Sequence, residues 1–335
     1  MRPHFHPSLV NDPFGDPALY VDFLFERRAL LFDLGDLERL APRKILRLTH
    51  AFVSHTHMDH FAGFDRVLRT CLHRDATLQL FGPPAFVDHV EHKLAAYSWN
   101  LVRNYPTDFT VVATEVGPGG RTRAARFRCR AGFQREAVAA GPTADGVLLD
   151  EETFRVRAAL LDHMIPCLAF ALEEKAHVNV WRTRLEAMGL PSGPWLRELK
   201  RAVLGGAPDD LPFRVWWREG AALRETHVPL GRLKERLLSV TPGQRIGYVV
   251  DAVYHAENAR RIVDLVRGAD VLFIETPFLQ DDVELAARKY HLTARQAGLV
   301  ARQAGVKRLV PFHFSPRYGG EEERLRREAE DAFAS

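Results

Sequence analysis

The densest chemistry in the chain is the run Ser54-His55-Thr56-His57-Met58-Asp59-His60. It follows the apolar stretch Ala51-Phe52-Val53, which reads as a strand buried on both faces. Residues two apart on an extended segment point the same way, so His55 and His57 can grip one cation. Asp59 and His60 fall where the strand turns into a helix, within reach of a second cation. Gly63 lets that helix begin close to the strand end. Imidazole and carboxylate ligands without cysteine suit zinc, with manganese or iron as further candidates. Two such ions about 3.5–4 Å apart can share a hydroxide and clamp both oxygens of a displacement at phosphorus. A lone His-x-His is commonly a surface pair; the full string behind an apolar strand is much rarer and points to metal.

With its later segments included, the chain resembles the metallo-β-lactamase superfamily, and within it the ribonuclease Z branch, over nearly everything beyond about residue 18. Leu161-Asp162-His163-Met164-Ile165-Pro166-Cys167 is similar to the segment that supplies a third histidine to the first metal. Tyr248-Val249-Val250-Asp251 is similar to the strand ending in a metal-bridging aspartate. Val310-Pro311-Phe312-His313-Phe314-Ser315-Pro316-Arg317-Tyr318 is similar to the terminal segment that gives a histidine to the second metal. The resemblance thus implies two zinc ions per chain: one on His55, His57 and His163, one on Asp59, His60 and His313, with Asp251 between them. Asp59 would also orient or deprotonate the bridging water.

Two further segments carry the resemblance. Lys289-Tyr290-His291-Leu292-Thr293 is similar to a segment whose histidine contacts the scissile phosphate, and Phe273-Ile274-Glu275-Thr276-Pro277-Phe278 to one whose carboxylate pairs with that histidine. A carboxylate–imidazole pair raises the imidazole pKa and fixes its tautomer, so His291 would protonate the leaving oxygen. The plainer reading of His291 is a polar residue at a helix start. What the resemblance implies is a metal-dependent phosphodiester hydrolase using a dinuclear-zinc-bridged hydroxide, an endoribonuclease processing tRNA 3′ ends. Gly189 to Lys200 is similar to the family's exosite region, which holds tRNA away from the active site. A homodimer is a further family expectation.

The chain also departs from the pattern. Ile274 stands where histidine is more usual, and Ala252 where threonine is. Met1 to Asp16 offers only Asn11-Asp12-Pro13-Phe14-Gly15 in place of the family's opening, so the first strand is expected to be missing or replaced. This departure keeps a cyclic nucleotide or other small phosphodiester open as the substrate. More distant alternatives are a lactone or thioester hydrolase and a non-catalytic metal-binding scaffold.

The elements that must position these residues are legible in outline. Leu19–Phe25 and Ala29–Asp33 read as strands, and residues 107–162 as a meander. The stretch from about 175 to 245 is rich in Arg, Glu, Pro and Gly with little strand periodicity, and reads as an arm or insertion in a single domain of residues 1–335. Beyond it, strands at 246–250, 271–274 and 308–310 alternate with helices at 256–267 and 293–304. The latter opens on Thr293-x-x-Gln296 and stops at Gly305. The expected fold class is α/β, an αβ/βα sandwich of two mixed sheets packed face to face with outer helices. With 335 residues, 46% hydrophobic and 27% charged, the composition is that of a soluble globular protein. A net charge of +3 is mild for a dedicated nucleic-acid module. No stretch is long and apolar enough to span a membrane. Cys71, Cys129 and Cys167 form no disulfide framework, which suits the cytoplasm. The alternation of Arg126, Arg128 and Arg130 reads as a solvated edge strand, Trp216-Trp217 as a partly buried pair, and His4 and His6 as part of a disordered terminus.

Overall fold

The computed structural model describes residues 5–24, 26–175, 177–220 and 222–335. The chain forms two compact units, one of residues 1–148, 157–171 and 245–335, the other of 149–156 and 172–244.

The first unit holds most of two sheets. In the eight-stranded sheet the spatial order is the chain order: β1 (Phe5–Leu9), β2 (Leu19–Phe23), β3 (Ala29–Phe32), β4 (Leu48–Phe52), β5 (Thr77–Gly82), β6 (Thr110–Val116), β7 (Thr122–Arg128) and β8 (Arg135–Val138). Its centre, β3 to β6, is parallel, and antiparallel hairpins close both sides. The six-stranded sheet draws on β9 (Val147–Asp150), β10 (Phe154–His163), β11 (Ile165–Glu174), β16 (Arg245–Val249), β17 (Val271–Glu275) and β18 (Leu309–Phe312), in the order β18-β17-β16-β11-β10-β9. Strands β16, β17 and β18 run parallel.

Side-chain alternation along each strand sorts the layers. Phe32 and Phe52 of the first sheet, stacked on each other at 5.1 Å, meet Phe170 and Tyr248 of the second with ring centroids 5.6–5.8 Å apart. Their neighbours Leu31, Ala51 and Val53 point the other way, under the helices Phe64–Cys71 and Phe86–Ala95. On the second sheet Val249, Leu272 and Ile274 face the helices Ala256–Val266 and Ala294–Gln303. The result is an αβ/βα sandwich, the fold that the family resemblance implies. The Thr293–Gln296 capping box forms as read, with both reciprocal bonds made.

Several local expectations change. Residues 5–9 do form a strand, so the first strand is not missing. Phe5 is buried edge-on against Phe23 at 5.0 Å, and Pro7 is tolerated because β1 is an edge strand that needs no further amide partner. His6 lies in that strand rather than in a disordered terminus, and His4 lies outside the described residues. The expected meander is divided: β6 to β8 complete the first sheet, β9 and β10 the second. Arg126 and Arg128 are not on an edge, because β8 covers β7 and Glu136 pairs with both at 3.0 and 2.8 Å. The C-terminal helix Glu322–Ala334 has no counterpart in the sequence reading. It packs so closely on the helix Ala294–Gln303 that a Cβ at Gly298 would come within 2.2 Å of the Ala329 carbonyl oxygen.

The second unit has more strand than its composition suggests. β12 (His177–Val180) pairs with β15 (Leu238–Thr241), and β13 (Pro212–Glu219) with β14 (Ala222–Pro229), both antiparallel. Trp195, Leu199, Val215, Leu230, Leu233 and Leu237 form its own core, drawing on the helices Trp195–Leu204 and Leu230–Leu237. Trp216 and Trp217 pack partly buried against that core, and Trp216 donates its indole N–H to Glu198 at 3.2 Å.

Candidate metal centre

The polar cluster sits where strands end. His163 closes β10 and Glu275 closes β17. His55 lies just past β4, Asp251 just past β16, and His313 directly after β18. Strand ends suit such a site because a rigid, buried strand delivers a residue to an open edge. The delivery strains the backbone. Of the eight non-glycine residues with positive φ among the described residues, Asp33, Asp251 and His313 belong to the cluster, and Met164 and Tyr290 adjoin His163 and His291. Gly63 is required here, since a Cβ on it would come within 2.1 Å of the Gly35 carbonyl oxygen.

Two groups of donors converge. Ligand atoms of His55, His57, His163 and Asp251 lie within 4.8 Å of one another, as do those of Asp59, His60 and His313. Asp251 joins the two. Its Oδ2 stands 3.5 Å from His55 Nε2, 3.2 Å from His163 Nε2 and 3.5 Å from His60 Nε2, while its Oδ1 is 3.1 Å from His313 Nδ1. Asp59 Oδ2 lies between His60 Nε2 at 3.3 Å and His313 Nε2 at 3.4 Å. Buried polar atoms are ordinarily hydrogen-bonded. Here His55 Nε2, His60 Nε2, Asp251 Oδ1 and His313 Nδ1 are buried without a hydrogen-bond partner. Four orphaned donors and acceptors aimed at common points, all nitrogen or carboxylate oxygen, fit divalent cations.

The electrostatics make the same demand. Burial opposes charge on His60 and His313, yet the Asp251 carboxylate outweighs it and holds both imidazoles protonated well above the ordinary histidine range. Burial would likewise raise Asp251, but the facing charges of His313 and His60 keep it well below the usual carboxylate range. His55, buried and close to the His60 charge, is pushed down to about 2. The protein alone thus answers its carboxylates with protons, which a bound cation would replace.

The surrounding residues fix the donors' orientation. His163 Nδ1 donates to the Tyr290 carbonyl at 2.7 Å, leaving Nε2 toward Asp251. Asn258 brackets that turn, accepting from the Asp162 N–H at 3.0 Å and donating to the Asp162 carbonyl at 2.9 Å. Glu275 Oε1 accepts from the Ala252 and Leu292 N–H groups at 2.9 and 3.1 Å, and its Oε2 holds His291 Nδ1 at 2.7 Å. Glu275 is therefore fully engaged, which separates it from the ligands even though its carboxylate also lies within 4.8 Å of donor atoms on Asp251, His291 and His313. Burial would raise Glu275, but the His291 charge holds it down at about 2; the same pairing raises His291 against its own burial.

His55, His57, Asp59, His60, His163, Asp251, Glu275, His291 and His313, the candidate ligands and catalytic residues of the sequence, all lie in this one centre. His291 faces Glu275 and does not cap a helix; that task falls to Thr293. His255 caps the helix Ala256–Val266 through its Nδ1 and belongs to neither donor group. The sequence reading passes over Asp33. Fully buried, it accepts from the Ser54 N–H at 2.6 Å, the Ser54 hydroxyl at 2.9 Å, the Tyr248 hydroxyl at 2.9 Å and His60 Nδ1 at 2.9 Å. It thereby fixes the His60 tautomer. A lone aspartate ending the all-apolar strand Ala29–Phe32 was the available signal, because a carboxylate there must be buried with partners. Cys167 also lines the centre, its thiol donating to the Val250 carbonyl at 3.4 Å. All three cysteines are free and buried.

A family model described as "Beta-lactamase superfamily domain" matches residues 208–314. Ribonuclease Z of Deinococcus radiodurans is 29% identical over 316 residues, 93% of this chain and 90% of the relative. Ribonuclease Z of Brevibacillus brevis is 29% identical over 308 residues, 90% of this chain and 80% of the relative. Among solved structures, the metallo-β-lactamase fold protein YhfI of Bacillus subtilis superposes with a TM-score of 0.54 at 14% identity, covering 98% of this chain and 95% of that one. The short form of human tRNase Z gives 0.51 at 19% identity, covering 93% and 92%. The two likenesses in structure show the metallo-β-lactamase fold, and in sequence the chain is similar over most of its length to ribonucleases Z, with a β-lactamase superfamily match over residues 208–314.

Proposed function

We propose that the protein is a metal-dependent endoribonuclease that removes 3′ extensions from tRNA precursors, working in the cytoplasm with two zinc ions per chain. One observation carries the reading: Asp251 is shared between two donor groups, and the hydrogen-bonded His291–Glu275 pair stands beside it, with His291 Nδ1 3.9 Å from Asp251 Oδ1. His55, His57 and His163 would hold one ion, Asp59, His60 and His313 the other, with Asp251 between; manganese or iron would suit the same donors. Bound there, the cations supply an activated water at neutral pH and neutralise charge on the phosphoryl oxygens. Asp59 orients the attacking water or takes its proton. Glu275 holds His291 by Nδ1, so Nε2 is left to donate a proton to the departing oxygen. The Ala252 and Leu292 N–H groups keep Glu275 in place, and the His291 charge keeps it ionised against its burial.

RNA as substrate is supported by the ribonuclease Z relatives, which align over most of the chain. The region from about 175 to 245 is proposed as an arm on a single catalytic domain, with Gly189–Lys200 contributing to a tRNA exosite, and the working form as a homodimer. No helix among the described residues is long and apolar enough to cross a membrane. A second reading, hydrolysis of a cyclic nucleotide or other small phosphodiester, is favoured by the departure of Asn11–Gly15 from the family's opening.

The test is a paired assay of zinc-loaded protein on a small activated aryl phosphodiester and on a 3′-extended tRNA precursor, with His57→Ala beside each. Precise precursor cleavage is expected, with a loss on the order of a thousandfold in the variant, since each metal contributes several kcal/mol at the transition state. Turnover of the diester with untouched precursor would move the substrate to the small class.

A further inference from the structure

Among the described residues, the two most exposed large apolar side chains are Met58, 84% exposed, and Met164, 73% exposed. Each adjoins a metal donor. Met58 lies between His57 and Asp59, and Met164 directly follows His163. The His57 and His163 rings are 5.3 Å apart, so both methionines stand at the mouth of one donor group. Ile165, Pro166 and Tyr254 are exposed too, Ile165 and Tyr254 at 37% and 43%, and the Val253 N–H before Tyr254 donates to the Asp162 carbonyl at 3.0 Å, which ties Tyr254 to the turn that carries Met164.

Folding does not account for the two methionines. Met58 is the first residue of the short helix Met58–Phe61, a position that alanine or a polar residue fills as well. Met164 has φ +63°, a conformation that glycine or asparagine adopts with less strain. Apolar side chains held in water around a centre built of imidazole and carboxylate call for a ligand with both a charged and an apolar part.

We propose that Met58 and Met164, with Tyr254 tied to the Met164 turn, bind the unpaired nucleobases on either side of the scissile phosphate. The proposal rests on the RNA reading above. A phosphate held at the metal centre brings its two nucleosides to the mouth. Every base offers a polarisable face, and an unbranched thioether adapts to purine and pyrimidine alike. The methionine side chains carry no hydrogen-bond donor, so they grip bases without reading their identity. The phenol ring of Tyr254 offers a stacking platform of the kind that serves single strands.

The test uses the zinc-loaded full chain, Met58→Ala, Met164→Ala and the double variant, on precursors with normal or abasic nucleotides flanking the cleavage site. The double variant is expected to raise KM roughly tenfold, in line with a stacked base. Abasic flanks should raise the parent protein's KM by a similar factor and add nothing in the double variant. As a readout apart from turnover, the ¹³C-methyl resonances of Met58 and Met164 should shift when a short single-stranded oligoribonucleotide is added to the His57→Ala protein, while that of Met188 stays put. If the parent protein hydrolyses the aryl diester but leaves the precursor intact, the RNA reading fails and takes this proposal with it. If it cleaves the precursor and the double variant keeps both KM and full sensitivity to abasic flanks, only the present proposal falls. A double variant that loses a dimer seen by sedimentation, with KM unchanged, gives the surface to a second copy of the chain and overturns it too.

Discussion

Around Asp251 the first unit buries imidazoles and carboxylates and leaves four of their polar atoms unpartnered. On the β13–β14 hairpin of the second unit the charges stand in solvent and pair across the strands, Arg214 with Glu225 at 2.6 Å and Arg224 with Glu219 at 3.0 Å. Beneath that hairpin lies an ordinary apolar core around Trp195. The difference separates two uses of polar groups. A centre meant to hold cations must keep lone pairs unsatisfied, and it needs a rigid sandwich to bear the cost. A surface meant to stay soluble, or to meet a charged partner, satisfies its charges cheaply and gains little from each pair.

If the second unit has its own stability, its core can be broken without disturbing the metal centre. Trp195→Ala removes a fully buried indole and its hydrogen bond to the Pro191 carbonyl. It should destabilise that unit by about 3–5 kcal/mol, read as hydrogen exchange lost over residues 172–244 with zinc binding kept. Loss of zinc along with the exchange pattern would show that the two units stand or fall together.

Within the first unit, Asp33→Asn tests whether the orphaned donors depend on their outer partners. Asparagine keeps the volume but cannot accept from His60, Ser54 and Tyr248 together. A drop of roughly 10–100-fold in zinc affinity is expected, measured by chelator competition. A shift in Tm with affinity intact would reduce Asp33 to a structural part.

The pH dependence of metal uptake sharpens the contrast from the electrostatic side. The folded metal-free protein holds His60 and His313 protonated well above the ordinary histidine value, chiefly against their burial and because of Asp251. A raised pKa means a bound proton at neutral pH that a cation must displace. Zinc binding should therefore release protons, and its affinity should rise with pH across the neutral range. Calorimetry in buffers of different ionisation enthalpy checks this, and uptake without proton release would contradict the picture. The smallest effect is expected on the hairpin. Arg214→Ala should cost no more than about 1 kcal/mol and fade further at high salt, because the Arg214–Glu225 pair is half exposed.

Legibility followed how locally each feature is encoded. The layers were readable because Leu30–Leu31–Phe32 and Ala51–Phe52–Val53 alternate between the inter-sheet aromatics and the helices, and alternation is a property of the strand itself. The Thr293–Gln296 box was readable for the same reason. β1 was not, because Pro7 and His6 look wrong for a strand until it is known to be an edge. The division of residues 107–162 between two sheets was invisible too, since hairpin signals do not say which sheet a strand joins.

By itself, the pitch of an extended segment put His55 and His57 on one side and Asp59 and His60 at the turn beyond, so the sequence alone determined that a metal centre begins there. The likeness of later segments to a known family named His163, Asp251, Glu275, His291 and His313, but no local pitch relates them. Only the tertiary structure, by ending β10, β16, β17 and β18 at one edge, decided that they converge, that Glu275 is satisfied while Asp251 is not, and that Asp33 stands behind His60. The physical reason is distance along the chain. Short-range sterics fix where neighbouring side chains point, whereas the meeting of distant ones depends on how two sheets pack.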